Sequence, residues 1–178
     1  CRSLSADGRR TCSLSAAGEI HCWGFRVSRT ASEQPVAVTG IPAARSVVVG
    51  GSHVCALGDD AVYCWGFDGH GQLGGGPRQP ERQPVASARF LGAHLDPPGV
   101  TTQLDGVRGL ALGHATTCAS ARGGVWCWGR SPALPCPRAE CDEPVSESCH
   151  HPTPRRVLAD AQGPISLLPS DLPCVRSG

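Results

Sequence analysis

The chain has 178 residues and a formal net charge of +1, and all 16 of its strongly basic residues are arginines. This near-neutral balance lacks the basic surface of a general nucleic-acid or polybasic membrane binder, so no nucleic-acid partner is expected. No apolar run reaches the roughly 18 to 20 residues of a spanning helix, so no transmembrane segment is predicted. With 23 Gly and 16 Pro, the composition predicts many tight turns and an all-β fold.

Three segments of the chain repeat one pattern, in which a cysteine precedes a Cys-Trp-Gly sequence. They span Arg2–Gly24, Arg45–Gly66 and Arg108–Gly129. A fourth copy, Ile165–Gly178, matches the first half of the pattern and places Cys174 at the position of the first cysteine. Repetition at this period indicates one supersecondary unit used several times.

Each repeat is predicted to form three short strands, of which the second and third make a hairpin. In the middle copy Val47–Val49 is β-branched, and His53–Leu57 turns through Asp59 and Asp60 into Ala61–Trp65. The corresponding turns in the other copies are Ala16–Gly18 and Arg122–Gly123.

This hairpin register places the two cysteines of each repeat directly opposite one another. Opposed residues of antiparallel strands have Cα atoms about 4.5 to 5.5 Å apart, which a disulfide accepts. The predicted structural disulfides are Cys12–Cys22, Cys55–Cys64 and Cys118–Cys127. Reduced core cysteines are the alternative, while structural zinc is disfavoured because its ligands usually lie closer in sequence. Disulfides imply an oxidising compartment, so the predicted location is extracellular, periplasmic or the cell surface.

The segment VCALGDDAVYCWGFDGHGQLGGG, residues 54–76, resembles the repeat of the regulator of chromosome condensation family. That repeat joins Trp-Gly to a Gly-Gln-Leu-Gly turn, which the segments after Gly24 and Gly129 lack. The paired cysteines make the chain more similar to the bacterial exported form of the repeat. The residues that carry the signature are Trp23, Gly24, Trp65, Gly66, Gly71, Gln72, Leu73, Gly74, Trp128 and Gly129.

The resemblance implies a partial β-propeller of about three and a half blades. Residues 1–178 are expected to form one propeller segment. Its predicted parts are blade cores at 2–24, 45–76 and 108–129, a Cys-rich insert at 130–154, and a truncated blade at 155–178. A closed ring would need about twice this length, so we expect the remaining blades from the rest of a longer chain or from a second copy.

The insert contains three cysteines followed by histidines. Three thiolates and one imidazole form a known zinc set, but the spacings here are loose, and a disulfide-stapled loop fits an oxidising compartment better. We therefore predict no cofactor and no metal, with Cys136, Cys141, Cys149 and His150 as a weak metal candidate. The partners of these three cysteines stay open. Cys174 is expected to pair with a cysteine in the hairpin strand that its repeat lacks. Three alternatives stay open for Cys1: it marks a truncation, it pairs elsewhere, or it carries a lipid.

No catalytic constellation is evident, so no enzymatic activity is predicted. His53, His70 and His114 lack a neighbouring nucleophile with a third, orienting partner. Tryptophans that recur once per repeat, at 23, 65 and 128, are expected to pack between blades rather than to stack on sugars or bases.

Propeller loops determine what a propeller binds, and the fold alone does not fix a function. The leading hypothesis is a non-catalytic binding or scaffold module of an exported or cell-surface protein, with a protein partner. Its contacts would come from the loops Phe25–Ala44, Phe67–Gly106 and Arg130–Gly163. The alternative is the named activity of the family, nucleotide exchange on a small GTPase with chromatin attachment, in compartments where disulfides are rare.

Overall fold

The computed structural model describes residues 1–24, 32–59, 61–74, 104, 106–130, 150–159, 165–167 and 173–175. Within these ranges every regular element is a β-strand, which confirms the all-β prediction. The strands are β1 Ser3–Asp7, β2 Arg10–Leu14, β3 Ile20–Gly24, β4 Ser32–Ala37, β5 Ser46–Val49, β6 His53–Leu57, β7 Val62–Gly66, β8 Gly109–Leu112, β9 Thr116–Ala121, β10 Gly124–Arg130, β11 His150–Ala159, β12 Ile165–Leu167 and β13 Pro173–Val175.

The strands form antiparallel sheets in which neighbours follow chain order. The first sheet is β1 to β4, the second β5 to β7, the third β8 to β11, and the fourth β12 and β13. Strand β5 packs on β1 and β2, β8 packs on β5 and β6, and β12 packs on β8 and β9. Successive sheets therefore lie side by side in chain order, as the blades of a propeller do.

The hairpins have the register that the cysteine pattern predicts. In the second sheet Cys55 lies opposite Cys64, and the Gly58 amide donates to the Ala61 carbonyl oxygen at 2.9 Å. In the third sheet Gly124 lies opposite Ala121, which leaves a two-residue turn. In the first sheet Leu14 lies opposite Ile20, which leaves the longer loop at residues 15–19.

Two strands were not predicted. The sequence interpretation gave three strands per repeat and assigned Phe25–Ala44 and Arg130–Gly163 to loops, yet β4 pairs with β3 and β11 pairs with β10. Both are outer strands with sequences, SEQPVA and HHPTPRRVLA, that mix proline and charge. Such composition suits sheet edges but hides the alternation of a strand. The predicted boundary between insert and truncated blade, at 154/155, lies inside β11.

Apolar clusters fill the spaces between neighbouring sheets. Between the first and second sheets, Cys12, Leu14, Ile20 and Cys22 contact residues of the second sheet that include Val47, Val54 and Trp65. Between the second and third sheets, Cys55, Leu57, Val62 and Cys64 contact residues of the third sheet that include Leu110, Ala119 and Trp128. Each of these clusters thus joins the cysteine pair of one sheet to the tryptophan of the next.

Candidate functional site

The structure brings together the three cysteine pairs that the sequence predicts. The sulfur atoms are 2.09 Å apart in Cys12–Cys22, 2.16 Å apart in Cys55–Cys64 and 2.08 Å apart in Cys118–Cys127. The Cα atoms of each pair are 4.1 Å apart, because the partners stand opposite one another on adjacent strands. All six cysteines are buried, so the bonds lie within the packing between sheets.

The tryptophans that follow these cysteines differ in exposure. Trp65 and Trp128 are 6% and 0% exposed, and each packs against the cysteine pair of the preceding sheet. Trp23 is half-buried, and the alternation of β3 places it on the face of the first sheet that points away from the second. Trp65 and Trp128 are therefore packing residues and have no open ring face for a ligand.

Gln72 lies between the second and third sheets and is 0% exposed. It follows β7 in the Gly-Gln-Leu-Gly turn, residues 71–74. Its backbone carbonyl oxygen accepts two hydrogen bonds from the third sheet, from Thr117 Oγ1 at 2.8 Å and from Trp128 Nε1 at 3.0 Å. The turn that leaves the second sheet is thereby fixed to the sheet that follows.

The amide group of the Gln72 side chain also makes hydrogen bonds through both of its polar atoms. Its Nε2 donates to Ser52 Oγ at 3.1 Å, and its Oε1 accepts from the His70 amide at 2.8 Å. Ser52 Oγ in turn donates to the His114 carbonyl oxygen at 2.8 Å, in the turn between β8 and β9. We refer to this set as the Gln72 junction, defined as Ser52, His53, Gln72, Thr117 and Trp128.

His53 is the titratable member of the junction and is completely buried. Its Nε2 lies 2.7 Å from Thr117 Oγ1. Because the Thr117 hydroxyl already donates to Gln72, the His53 Nε2–H is the donor here, which leaves Nδ1 unprotonated. Burial above all, together with the charges of Arg10 and His114, lowers the pKa of His53 to about 3. His53 is therefore neutral at physiological pH.

Two glycines make the close approach of the turn possible. Gly129 has φ 88°, and a Cβ there would meet the Ala115 carbonyl oxygen and lie 3.1 Å from Gln72 Cα. Gly71 has φ 74°, and a Cβ there would lie 2.6 Å from Pro152 Cα on β11. The glycines of the signature thus provide positive φ and space for backbone contact at a junction between sheets.

The junction holds sheets together and offers no chemistry to a solvent-borne substrate, because its histidine is buried and neutral. Among the residues that the structure describes, no group of three or more His, Cys, Asp or Glu side chains is placed to hold a metal ion. The weak metal candidate, Cys136, Cys141, Cys149 and the His150 side chain, lies outside the described residues. In the same part of the chain no helix is long and apolar enough to cross a membrane.

The sequence identified the Gly-Gln-Leu-Gly turn but not what it touches. Leu73 is partly buried against the cluster between the second and third sheets, and Gln72 lies beside it at the junction. Ser52 and Thr117 were missed because they are 20 and 45 residues from Gln72, and nothing in either local sequence marks them as partners.

No known family matches the sequence, and no curated protein is significantly similar to it. Solved structures do share its arrangement of sheets. Yeast RCC1 (Prp20) bound to Kap60 is 17% identical with a TM-score of 0.62, over 92% of this chain and 39% of that one. The chain has the fold of an RCC1-type propeller. This result confirms the predicted partial propeller.

Two further structures agree. Prp20p from Saccharomyces cerevisiae is 16% identical with a TM-score of 0.61, over 92% of this chain and 40% of that one. Human WBSCR16 is 16% identical with a TM-score of 0.58, over 86% of this chain and 36% of that one. The chain thus spans between 36% and 40% of the length of these three proteins.

Proposed function

We propose that the chain is a non-catalytic binding or scaffold module of an exported or cell-surface protein, with a protein as its partner. The observation that carries the proposal is the set of three buried disulfides, one in each of the first three sheets. Disulfides persist outside the reducing cytosol, and a repeated set that packs between blades has a structural role. In this respect the chain is similar to the bacterial exported form of the repeat.

A protein partner is supported by what propellers of this fold do. One solved structure shows Prp20 bound to Kap60, and the work on another describes the binding of Prp20p to Gsp1p and histones. A buried, hydrogen-bonded junction between sheets makes a rigid frame, and binding loops work best on rigid frames. The absence of catalysis is part of the proposal, and the burial of His53 supports it.

A second candidate is a nucleotide exchange factor or chromatin-associated regulator of a small GTPase. The fold shared with Prp20p, whose reported partners are Gsp1p and histones, favours it. Against it stand the three disulfides and the formal net charge of +1, since chromatin contact relies on basic surface.

The test is the redox state of the cysteines in protein isolated from its own cells. Cells are quenched in acid, free thiols are alkylated, and linked peptides are mapped with and without reductant. We expect Cys12–Cys22, Cys55–Cys64 and Cys118–Cys127 as bonds, in material recovered from an exported or surface fraction. The control is the same chain made in a reducing cytosol, where all 11 cysteines should alkylate.

If all cysteines of the native protein alkylate freely, export is excluded and the exchange-factor candidate takes its place. That candidate has its own assay, the release of labelled GDP from a small GTPase on adding the chain. We expect the oxidised chain to leave the release rate unchanged.

A further inference from the structure

Exposed arginines recur at one position of the repeat. Arg2, Arg45 and Arg108 each come directly before the first strand of their sheet, and each is exposed to solvent. Their backbone N–H groups donate, at 2.7 to 2.8 Å, to the carbonyl oxygen that lies two residues after the first cysteine of each disulfide. The three positions are therefore structurally equivalent, and we refer to Arg2, Arg45 and Arg108 as the arginine row.

The arginine row follows three neighbouring strands. Strand β5 contacts both β1 and β8. The antiparallel pairing of each first strand with the second strand places its start at the end of the sheet where the hairpin turn lies. Each arginine of the row thus stands beside the hairpin turn of its own sheet, at the same end of three adjacent sheets.

In the second sheet the arginine of the row has an acidic partner. Arg45 Nε lies 3.2 Å from Asp59 Oδ1, and Arg45 Nη2 donates to the Gly58 carbonyl oxygen at 2.9 Å. Asp59 is the first residue of the two-residue turn that follows Gly58. The side chain of an arginine in the row therefore reaches the hairpin turn, and here an aspartate balances its charge.

The third sheet has an arginine where the second sheet has this aspartate. Its two-residue turn begins at Arg122, which is exposed. Because the turns are equally long and the row residues make the same backbone hydrogen bond, Arg108 and Arg122 have the backbone relation of Arg45 and Asp59. We refer to Arg108 and Arg122 as the basic corner. Two like charges at this separation repel each other, and an anion between them removes that repulsion.

We propose that the arginine row and the basic corner form a docking surface for an acidic, extended segment of the protein partner. Arginine holds a carboxylate through two parallel N–H···O bonds, so the basic corner suits the side chains of Asp and Glu. The row continues the positive charge along neighbouring sheets, which favours an extended peptide over one small anion. The inference rests on the proposed function, to which it adds the chemistry of the partner.

The test uses the full, oxidised chain and two fluorescent peptides. One peptide alternates Glu with Gly, and the other alternates Gln with Gly. Fluorescence anisotropy gives the dissociation constant of each at low salt and at about 0.15 M salt. We expect the Glu peptide to bind at least about tenfold more tightly than the Gln peptide at low salt, and to bind more weakly as salt rises, because exposed charges are screened.

Substitutions at the turns test the surface with matched controls. Arg122→Gln should weaken binding of the Glu peptide about three- to tenfold, and Arg122→Asp, which reproduces the ion pair of the second sheet, should weaken it further. Asp59→Arg gives the second sheet a basic corner and should tighten binding. The control is Arg130→Gln, an exposed arginine at the opposite end of β10, with less than about a twofold change expected. Thermal unfolding should be nearly unchanged in all four variants because the positions are exposed.

Equal losses in Arg122→Gln and Arg130→Gln would overturn the proposal, because overall charge would then explain the binding. Inorganic phosphate or sulfate that displaces the Glu peptide at the peptide's own concentration would also overturn it, since one oxyanion would then suffice. Asp105, which lies outside the described residues, is the acidic residue nearest in sequence to the basic corner. Binding that is seen only in an Asp105→Asn variant would show that this residue already balances the corner, and would overturn the proposal.

The two proposals fail separately. A chain that binds neither peptide overturns the docking surface but leaves the mapped disulfides, and so the proposed function, standing. Free cysteines in the native protein would remove the proposed function, whereas the affinities of the oxidised chain would stay as measured.

Discussion

The two junctions between the first three sheets use equivalent positions of one repeat but differ in polarity. The tryptophan of each Cys-Trp-Gly sequence stands opposite a residue of the neighbouring strand. In the second sheet this residue is Val54, and in the third sheet it is Thr117. Val54 lies in an apolar cluster, whereas Thr117 bonds to His53 and Gln72. The same strand register therefore accepts either an apolar or a hydrogen-bonded contact. At the second of these junctions the contact is polar because the turn at Gln72 brings a carbonyl oxygen to Thr117.

The largest effect is expected from removing the tryptophan of the polar junction. Trp128→Ala should lower the free energy of unfolding by about 3 to 5 kcal/mol, because it leaves a cavity and removes one of the two hydrogen bonds to the Gln72 carbonyl oxygen. The matched variant is Trp23→Ala, at the same repeat position on a half-buried face, and it should cost clearly less. Urea denaturation of the oxidised chain measures both. Equal losses would show that the two positions are packed alike.

A swap of the opposed residues tests the difference in polarity directly. Thr117→Val should lower the free energy of unfolding by about 1 to 3 kcal/mol, because His53 Nε2 and the Gln72 carbonyl lose a partner. Val54→Thr, in the apolar junction, should cost a similar amount because it buries a hydroxyl among apolar side chains. A His53→Gln and Thr117→Val double-mutant cycle in the same denaturation assay isolates their bond. Additive losses would mean that the two side chains do not interact.

Near neutral pH the smallest effect is the pH dependence of the polar junction. His53 has a folded pKa of about 3, below its ordinary value of 6.5, so its contribution to stability is complete above pH 6.5 and is lost as pH falls toward 3. Between pH 7 and pH 6 the loss should be less than about 1 kcal/mol, and it should grow below pH 6. Thermal unfolding of wild type and His53→Gln measures it, with His21→Gln as control. An identical pH profile for wild type and His53→Gln would rule out this histidine as the cause.

The repeated cysteine pattern and its turns made the hairpins predictable from sequence. In His53–Leu57 and Val62–Gly66 the turn length fixes which residues face each other, and a cysteine at each opposed position repeats the same constraint three times. The Gly-Gln-Leu-Gly turn was equally visible. Its buried contacts were not, because hydrogen-bond partners tens of residues away leave no local pattern.

The outer strands were unpredictable for a different reason. Strand β4, Ser32–Ala37, is mostly exposed and lies outside the three repeated segments from which the other strands were predicted. Strand β11, His150–Ala159, contains two prolines and two arginines, a composition that is typical of a connecting loop. Both are held by pairing with a strand already in place, which a single segment of sequence does not reveal.

The pairing of β10 with β11 has a consequence for how this protein can change over time. Arg130, the last residue of β10, stands opposite His150, the first residue of β11. The segment 131–149 therefore connects two residues that are paired in the sheet. The entropic cost of closing a loop grows slowly with its length, so this segment can be lengthened or shortened at little cost in stability. The segment between β10 and β11 can thus be replaced by another sequence, in evolution or by design, while the sheet stays the same.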